Sequence, residues 1–211
     1  LRVDLVRRLL EEAKPDVLCL QETKSPDELF PREMFEALGY GHMLVHGMKG
    51  YNGVAILGRE PFASTTTRAW CARTDCRHAI VELPGGIELH NIYVPAGGDI
   101  PDPAENPKFA HKLQFLDELT AWFAAERDGG RPMIAVGDLN IAPLEMDEER
   151  LYTWWSYRAR DWAASDRGRR LDHIWVTEPL VGALARAQVF KDSRGWKQAS
   201  DHVPVMIELG G

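Results

Sequence analysis

Seven residues, widely separated in the chain, carry the chemistry this sequence can do: Glu22, Tyr93, Asp138, Asn140, Asp172, Asp201 and His202. Glu22, Asp138, Asn140 and Asp201 are oxygen donors with no cysteine or second histidine among them, and such a set selects a hard cation. A small, incomplete protein shell that leaves room for water and phosphate favours Mg²⁺, with Mn²⁺ as the alternative. His202 is the base of the group, and Asp172 could fix its tautomer. With an imidazole pKa near ~6.5, His202 could take a proton from water or, protonated, steady a phosphate oxygen. The amide of Asn140 and the phenol of Tyr93 add donors. Catalytic roles are therefore expected for His202, Asp138, Asp172, Tyr93 and Asn140, and metal ligation for Glu22, Asp138, Asn140 and Asp201. Metal, base and donors together are apparatus for in-line attack of water on a phosphodiester. Each residue has a plainer reading, as turn former, core tyrosine or strand cap, but all of them fall at strand mouths.

Buried strands are what must bring them there. Val17–Leu20 runs into Gln21–Lys24, Leu89–Ile92 into Tyr93, and Met133–Val136 into Gly137 and Asp138, while Ser200–His202 precede the apolar run to Ile207. Site segments thus lie at both ends and starts of strands. Helical spacing over Asp4–Ala13 stops at Pro15, Pro31–Leu38 reads as a short helix, and Gly53–Leu57 as a strand. Ala79–Leu83 and Ile87–Val94 form a hairpin across Pro84-Gly85-Gly86, and a Pro/Gly/Asp loop occupies Ala96–Pro107. From about Lys108 to Arg127 an amphipathic helix places Phe109, Leu113, Leu116, Leu119, Trp122 and Phe123 down one side. Further strands are expected near Leu171–Val176, Ala183–Phe190 and Val203–Leu209. The fold class is α/β (α+β): a four-layer, two-sheet β-sandwich flanked by helices, with the active site at one rim.

At 211 residues, 45% hydrophobic and 27% charged, the chain suits one domain over 1–211. No apolar stretch approaches the ~20 residues a bilayer needs, so no membrane partner is expected. An odd count of three cysteines suits a reducing compartment, and the expected location is cytoplasmic. The net charge of −7 hides its distribution. Arg150, Arg158, Arg160, Arg167, Arg169 and Arg170 interleave with Tyr152, Trp154, Trp155, Tyr157 and Trp162. Phosphate-pairing arginines among stacking aromatics suit a nucleic-acid surface; a solvated face above core aromatics is the plainer alternative.

The motifs Leu20-Gln21-Glu22-Thr23-Lys24, Gly53–Leu57, Asn91-Ile92-Tyr93-Val94-Pro95, Gly137–Pro143, Tyr152–Arg158, Arg170-Leu171-Asp172 and Ser200–Val205 resemble, in order, those of the exonuclease III/AP endonuclease family. The resemblance implies Glu22 as metal ligand, Asp201 as second acidic ligand or as a residue behind the ligands, and His202 paired to Asp172. It implies Asp138 as orienter of the nucleophile or proton donor to the leaving oxygen, with Asn140 and Tyr93 on the phosphate. Trp154 falls where the family places an aromatic against the abasic sugar, and Arg158, Arg160 and Arg169 join it as DNA contacts. Arg169 stands in place of a large apolar residue of some relatives, and Ala96 in place of a polar one. The family's pattern also implies a strand ahead of Leu1 and further residues between about 144 and 150.

The expected activity is a Mg²⁺-dependent deoxyribonuclease of base-excision repair. Its partner is double-stranded DNA, abasic or with 3′ ends, cut as a 3′→5′ exonuclease and as an endonuclease 5′ to abasic sites by a monomer. Two rivals remain: a phosphatase or phosphodiesterase on a small or lipid phosphate, and a catalytically weakened DNA-binding homologue.

Overall fold

A computed structural model describes residues 2–143, 151–159, 161–165 and 167–210. Helix α1 (Val3–Ala13) stops where Lys14 turns left-handed (φ 48°) ahead of Pro15, which has no amide proton to continue it. It leads into β1 (Val17–Gln21), α2 (Arg32–Glu36), β2 (His42–His46), β3 (Val54–Gly58), β4 (Ser64–Thr67), β5 (His78–Leu83) and β6 (Ile87–Tyr93). Helix α3 (Pro107–Glu126) begins at Asn106, whose side chain accepts from the Lys108 amide, with Pro107 in the first turn. It crosses to β7 (Met133–Asp138), after which come α4 (Trp162–Ser165), β8 (Asp172–Val176), α5 (Glu178–Val181), β9 (Leu184–Val189) and β10 (Val205–Leu209).

One layer is a five-stranded sheet, β4-β5-β6-β7-β8; facing it are the three-stranded sheet β2-β3-β1 and the β9-β10 ribbon. β1 lies over β6 and β7, β3 over β5 and β6, and β10 against β8. Every ladder is antiparallel except β6–β7, which α3 makes parallel by carrying the chain back. Between the layers pack Val54, Ile56, Ala79, Val81, Leu89 and Ile134. The alternate residues of β3, Ala55 and Leu57, face outward onto Leu10, Phe35 and Tyr40. Both faces of β3 are therefore buried, which is why it reads as an unbroken apolar run. The expected four layers, helix, sheet, sheet and helix, are present.

The stripe expected on α3 needs correction. Phe115, Leu119 and Trp122, at i, i+4 and i+7, are its buried residues against Ile80 and Ile92, whereas Leu113 is exposed. Leu116 and Phe123 flank the buried set, so the contact face is rotated from the one the apolar residues alone suggest.

Beneath α3 lies a fully buried histidine pair. His78 Nε2 and His90 Nδ1 are 3.0 Å apart, and His90 Nε2 meets Glu88 Oε1 at 2.7 Å, with Arg127 on the same carboxylate oxygen. Burial is the main force holding both imidazoles below their ordinary pKa, and His90, Arg68 and Arg127 add to it at His78. A lowered folded-state pKa means that the unfolded chain binds more protons below 6.5. The stability contributed is complete above that value and is lost as pH falls through it. Thermal melts from about pH 7.5 to about pH 5 should show a falling Tm, and His78→Phe should flatten that fall. An equal slope in both proteins would assign the acid sensitivity elsewhere.

Candidate active site

Strand register assembles the centre of the site. Tyr93 at the end of β6 pairs with Asp138 at the end of β7, and Asp138 pairs with Asp172 at the start of β8. Three site residues therefore stand in one row across neighbouring strands. Gly137, just before, has φ 146°, and a Cβ there would lie 1.8 Å from the Ile92 carbonyl oxygen, so only glycine lets the strands close at this level. After β7 the chain makes a tight turn in which Asp138 Oδ1 accepts the Asn140 amide at 2.9 Å and Asn140 is left-handed. Asn140 Nδ2 donates to the Val94 carbonyl at 2.8 Å and to Asp138 Oδ2 at 3.2 Å, and Lys112 of α3 holds the Asn140 carbonyl at 2.5 Å.

From the facing layer, β1 delivers Glu22. Asn91, fully buried on β6, joins the layers here: its Nδ2 donates to the Leu20 and Ala55 carbonyls, and its Oδ1 accepts from Gln21. Tyr93 then donates its hydroxyl to Glu22 Oε1 at 2.6 Å, and Lys24 pairs with Oε2 at 3.0 Å. Burial pushes the Glu22 carboxyl up, but Tyr93, Lys24 and His202 outweigh it and hold the group below its ordinary pKa. Burial, then the Glu22 carboxylate, pushes the Tyr93 phenol far up.

His202 arrives on the segment before β10. Its Nδ1 lies 2.9 Å from Asp172 Oδ2, and its Nε2 lies 3.8 Å from Asp138 Oδ2. Burial opposes its charge, yet Asp172, Asp138 and Asp201 together raise its pKa to about 9. Asp138 is raised to about 7, chiefly by burial and also by Asp172, against the lowering effect of His202 and the Asn140 amide. At neutral pH His202 is thus an imidazolium, and Asp138 is the group poised to exchange a proton.

Among the described residues, Asp138, Asp172 and His202 are the close-set group, with candidate ligand atoms all within 4.8 Å. Glu22 lies beside them and feels the His202 charge. Asp201 turns away: its Oδ2 accepts from Trp154 Nε1 at 3.1 Å, and its amide donates to the Tyr157 hydroxyl. The structure therefore brings Glu22, Tyr93, Asp138, Asn140, Asp172 and His202 to one rim, with Asp201 bonded to the Trp154 indole beside them. The oxygen-rich donor set fits a hard divalent cation.

The aromatic segment divides. Trp155 is core, edge-on to Tyr152 and Trp162, so for it the plainer reading holds. Trp154 is partly exposed, with the Arg169 guanidinium 5.6 Å from its ring centre. Arg158 and Arg169 are exposed; Arg160 lies outside the described residues. Thr153 escaped sequence reasoning although its motif was visible. Its buried hydroxyl accepts from the Leu171 and Asp172 amides, and its carbonyl takes the Val203 amide, tying Asp172 and His202 to one anchor. Lys112 was missed as well, because nothing in a helical pattern marks a lysine that reaches a loop 28 residues away.

A four-layer sandwich that sets acids, an imidazole and a phenol on one rim is built as a hydrolase. The chain belongs to the Endonuclease/Exonuclease/phosphatase family, whose profile it matches over residues 1–202. It is 28% identical to the exodeoxyribonuclease III of Haemophilus influenzae, covering 95% of this chain and 92% of that protein. An AP endonuclease from Archaeoglobus fulgidus superposes with a TM-score of 0.90 at 27% identity, over 99% of this chain and 94% of that one. A 3′ phosphatase from Neisseria, solved with a product DNA hairpin, superposes with a TM-score of 0.87 at 27% identity, over 100% and 95% of the two chains. These relatives support the exonuclease III/AP endonuclease branch that the motifs implied.

Proposed function

We propose that this protein is a Mg²⁺-dependent nuclease of base-excision repair, cutting duplex DNA as a 3′→5′ exonuclease and 5′ to abasic sites. The observation that carries the reading is the in-register row Tyr93–Asp138–Asp172 with His202 held on Asp172. Glu22 would hold the cation, with Asp138, Asn140 and Asp201 completing its surroundings directly or through water. A cation held there would supply positive charge against the phosphate. His202, kept charged by Asp172, donates through Nε2 to a phosphate oxygen. Asp138 takes the proton of the attacking water as its oxygen bonds to phosphorus; the bond to the 3′ oxygen breaks, that oxygen leaves as an alkoxide and takes a proton from solvent, and Asp138 returns its proton to solvent. Tyr93 and Asn140 orient the phosphate.

Exposed Arg158, and exposed Arg169 beside Trp154, fit the backbone of a duplex. Arg158→Ala should flatten the salt dependence of duplex binding by about one unit of slope while leaving metal affinity unchanged. The function itself is tested with an abasic duplex, a recessed 3′ end and a 3′-phosphate end, each with and without Mg²⁺. Cleavage of the first two that needs the metal is expected; activity confined to the 3′-phosphate end would make the protein a 3′ phosphatase. Trp154→Ala should reduce abasic incision more than exonuclease activity, because an aromatic against the sugar discriminates rather than attracts. Equal loss of both would return Trp154 to a packing role. Among the described residues no helix is long and apolar enough to cross a membrane, and Cys19, Cys71 and Cys76 are free. A cytoplasmic monomer is the setting this reading takes.

A further inference from the structure

Three loops converge behind Glu22 and Tyr93, and one side chain joins them. Arg77, the residue before β5, is nearly buried and uses its whole guanidinium. Nε pairs with Asp75 at 2.6 Å, Nη1 donates to the Tyr93 carbonyl at 3.1 Å, and Nη2 donates to Asn52 Oδ1 at 3.0 Å. The same group lies 4.8 Å from the centre of the Tyr93 ring, and the Arg77 carbonyl takes the Tyr93 amide at 2.8 Å. Asn52 passes the connection on. Its Nδ2 donates to the Asp75 carbonyl at 2.9 Å, and its carbonyl accepts the Lys24 amide at 2.9 Å. The Gly53 carbonyl accepts the Thr23 amide at 3.2 Å, and the Tyr93 hydroxyl closes the circuit on Glu22 at 2.6 Å.

These loops need such a hub. Glu22, Lys24, Asn52 and Cys76 all have left-handed backbones, with φ of 53°, 51°, 44° and 52°. Non-glycine residues stay there only where their surroundings over-determine them. A planar fork with donors on three sides meets a carboxylate, an amide oxygen and a backbone carbonyl at once, while its face covers a ring; a lysine offers one point charge to the same acceptors.

We propose that Arg77 is a positioning residue for the reaction: by clamping residues 22–24, 50–53 and 75–77 to Tyr93 it fixes the phenol–carboxylate pair that faces the scissile phosphate. The kinetic arm of its test rests on the nuclease reading. The test compares Arg77→Lys, Tyr93→Phe and the double variant by kcat and KM on an abasic duplex, together with proton NMR of the protein without DNA or metal. Arg77→Lys should lower kcat at least ~10-fold with KM within about twofold, since it misplaces groups rather than removing binding contacts. In the Tyr93→Phe background the same change should cost far less, because the pair it sets is already broken. A slowly exchanging Tyr93 hydroxyl proton, identified by its absence from Tyr93→Phe, should broaden or vanish in Arg77→Lys. An unchanged kcat, a loss fully additive with that of Tyr93→Phe, or an unchanged hydroxyl signal would each overturn the proposal. If Arg77→Lys does not fold, Asp75→Asn, which frees Nε alone, should show the same coupling with a smaller loss, and additivity there is equally decisive against it. A parent protein that cleaves no DNA would defeat the nuclease reading and leave the NMR arm to decide the role of Arg77.

Discussion

Asp138→Asn should lower kcat by at least ~10²-fold, and His202→Ala by a similar factor, with duplex affinity nearly unchanged in both. The two groups divide the proton chemistry. In the proposed mechanism His202, whose charge the 2.9 Å bond to Asp172 favours, would serve the phosphate charge, whereas buried Asp138, raised to about 7, would take the proton of the attacking water. The pH profile of kcat should accordingly rise as Asp138 ionises near 7 and fall as His202 loses its proton near 9. Asp138→Asn should remove the acidic limb. Asp172→Ala should shift the alkaline limb downward, with a smaller loss of rate, because the backbone next to His202 stays on the Thr153 carbonyl while the imidazole loses its counter-charge. Stopped-flow or quench measurements across that range decide the matter. Rates within a few-fold of the parent in both Asp138→Asn and His202→Ala would move the chemistry to other residues.

The second large effect concerns the cation. EDTA should abolish cleavage and Mg²⁺ or Mn²⁺ should restore it. Glu22→Gln should weaken metal affinity by about 10- to 100-fold, because the site loses a carboxylate that Tyr93, Lys24 and His202 hold below its ordinary pKa. Duplex binding measured without metal should barely move, since Arg158, Arg169 and Trp154 stand on a different segment. Calorimetric titration with Mn²⁺ separates the two quantities. Full cleavage in EDTA would sink the metal reading, and undiminished Mn²⁺ affinity in Glu22→Gln would place the ligand elsewhere.

Much of this could be read from residue patterns, and the gaps have physical causes. β3 and β7 announce themselves because burial on both faces, or burial ending abruptly in Gly-Asp, leaves a distinctive string. β4 (Ser64–Thr67) is fully exposed at the sheet edge, so no apolar alternation marks it. β2 hides because His42 and His46 bracket only three apolar residues. The His202–Asp172 pair was expected and lies at bonding distance. Asp201 was expected either as a second acidic ligand or as a residue behind the ligands. The structure sets Asp201 against the Trp154 indole, an arrangement decided by how two remote loops meet and by nothing local to either. The same holds for Arg77, Lys112 and Thr153, whose partners lie on other elements.

The row of Tyr93, Asp138 and Asp172 has an implication for how such an enzyme can change. Its spacing is dictated by the hydrogen-bond ladder, a repeat of about 4.8 Å that no side chain chooses. Insertions or deletions within β6, β7 or β8 would scramble the catalytic row, because a single-residue slip turns every side chain to the opposite face. The connection 94–106, which leaves the row just after Tyr93, is under no such discipline. Chemistry and substrate choice are thus written in separate, independently editable parts of one chain, and new preferences for DNA ends or lesions can be acquired by rewriting loops while the reaction is inherited intact.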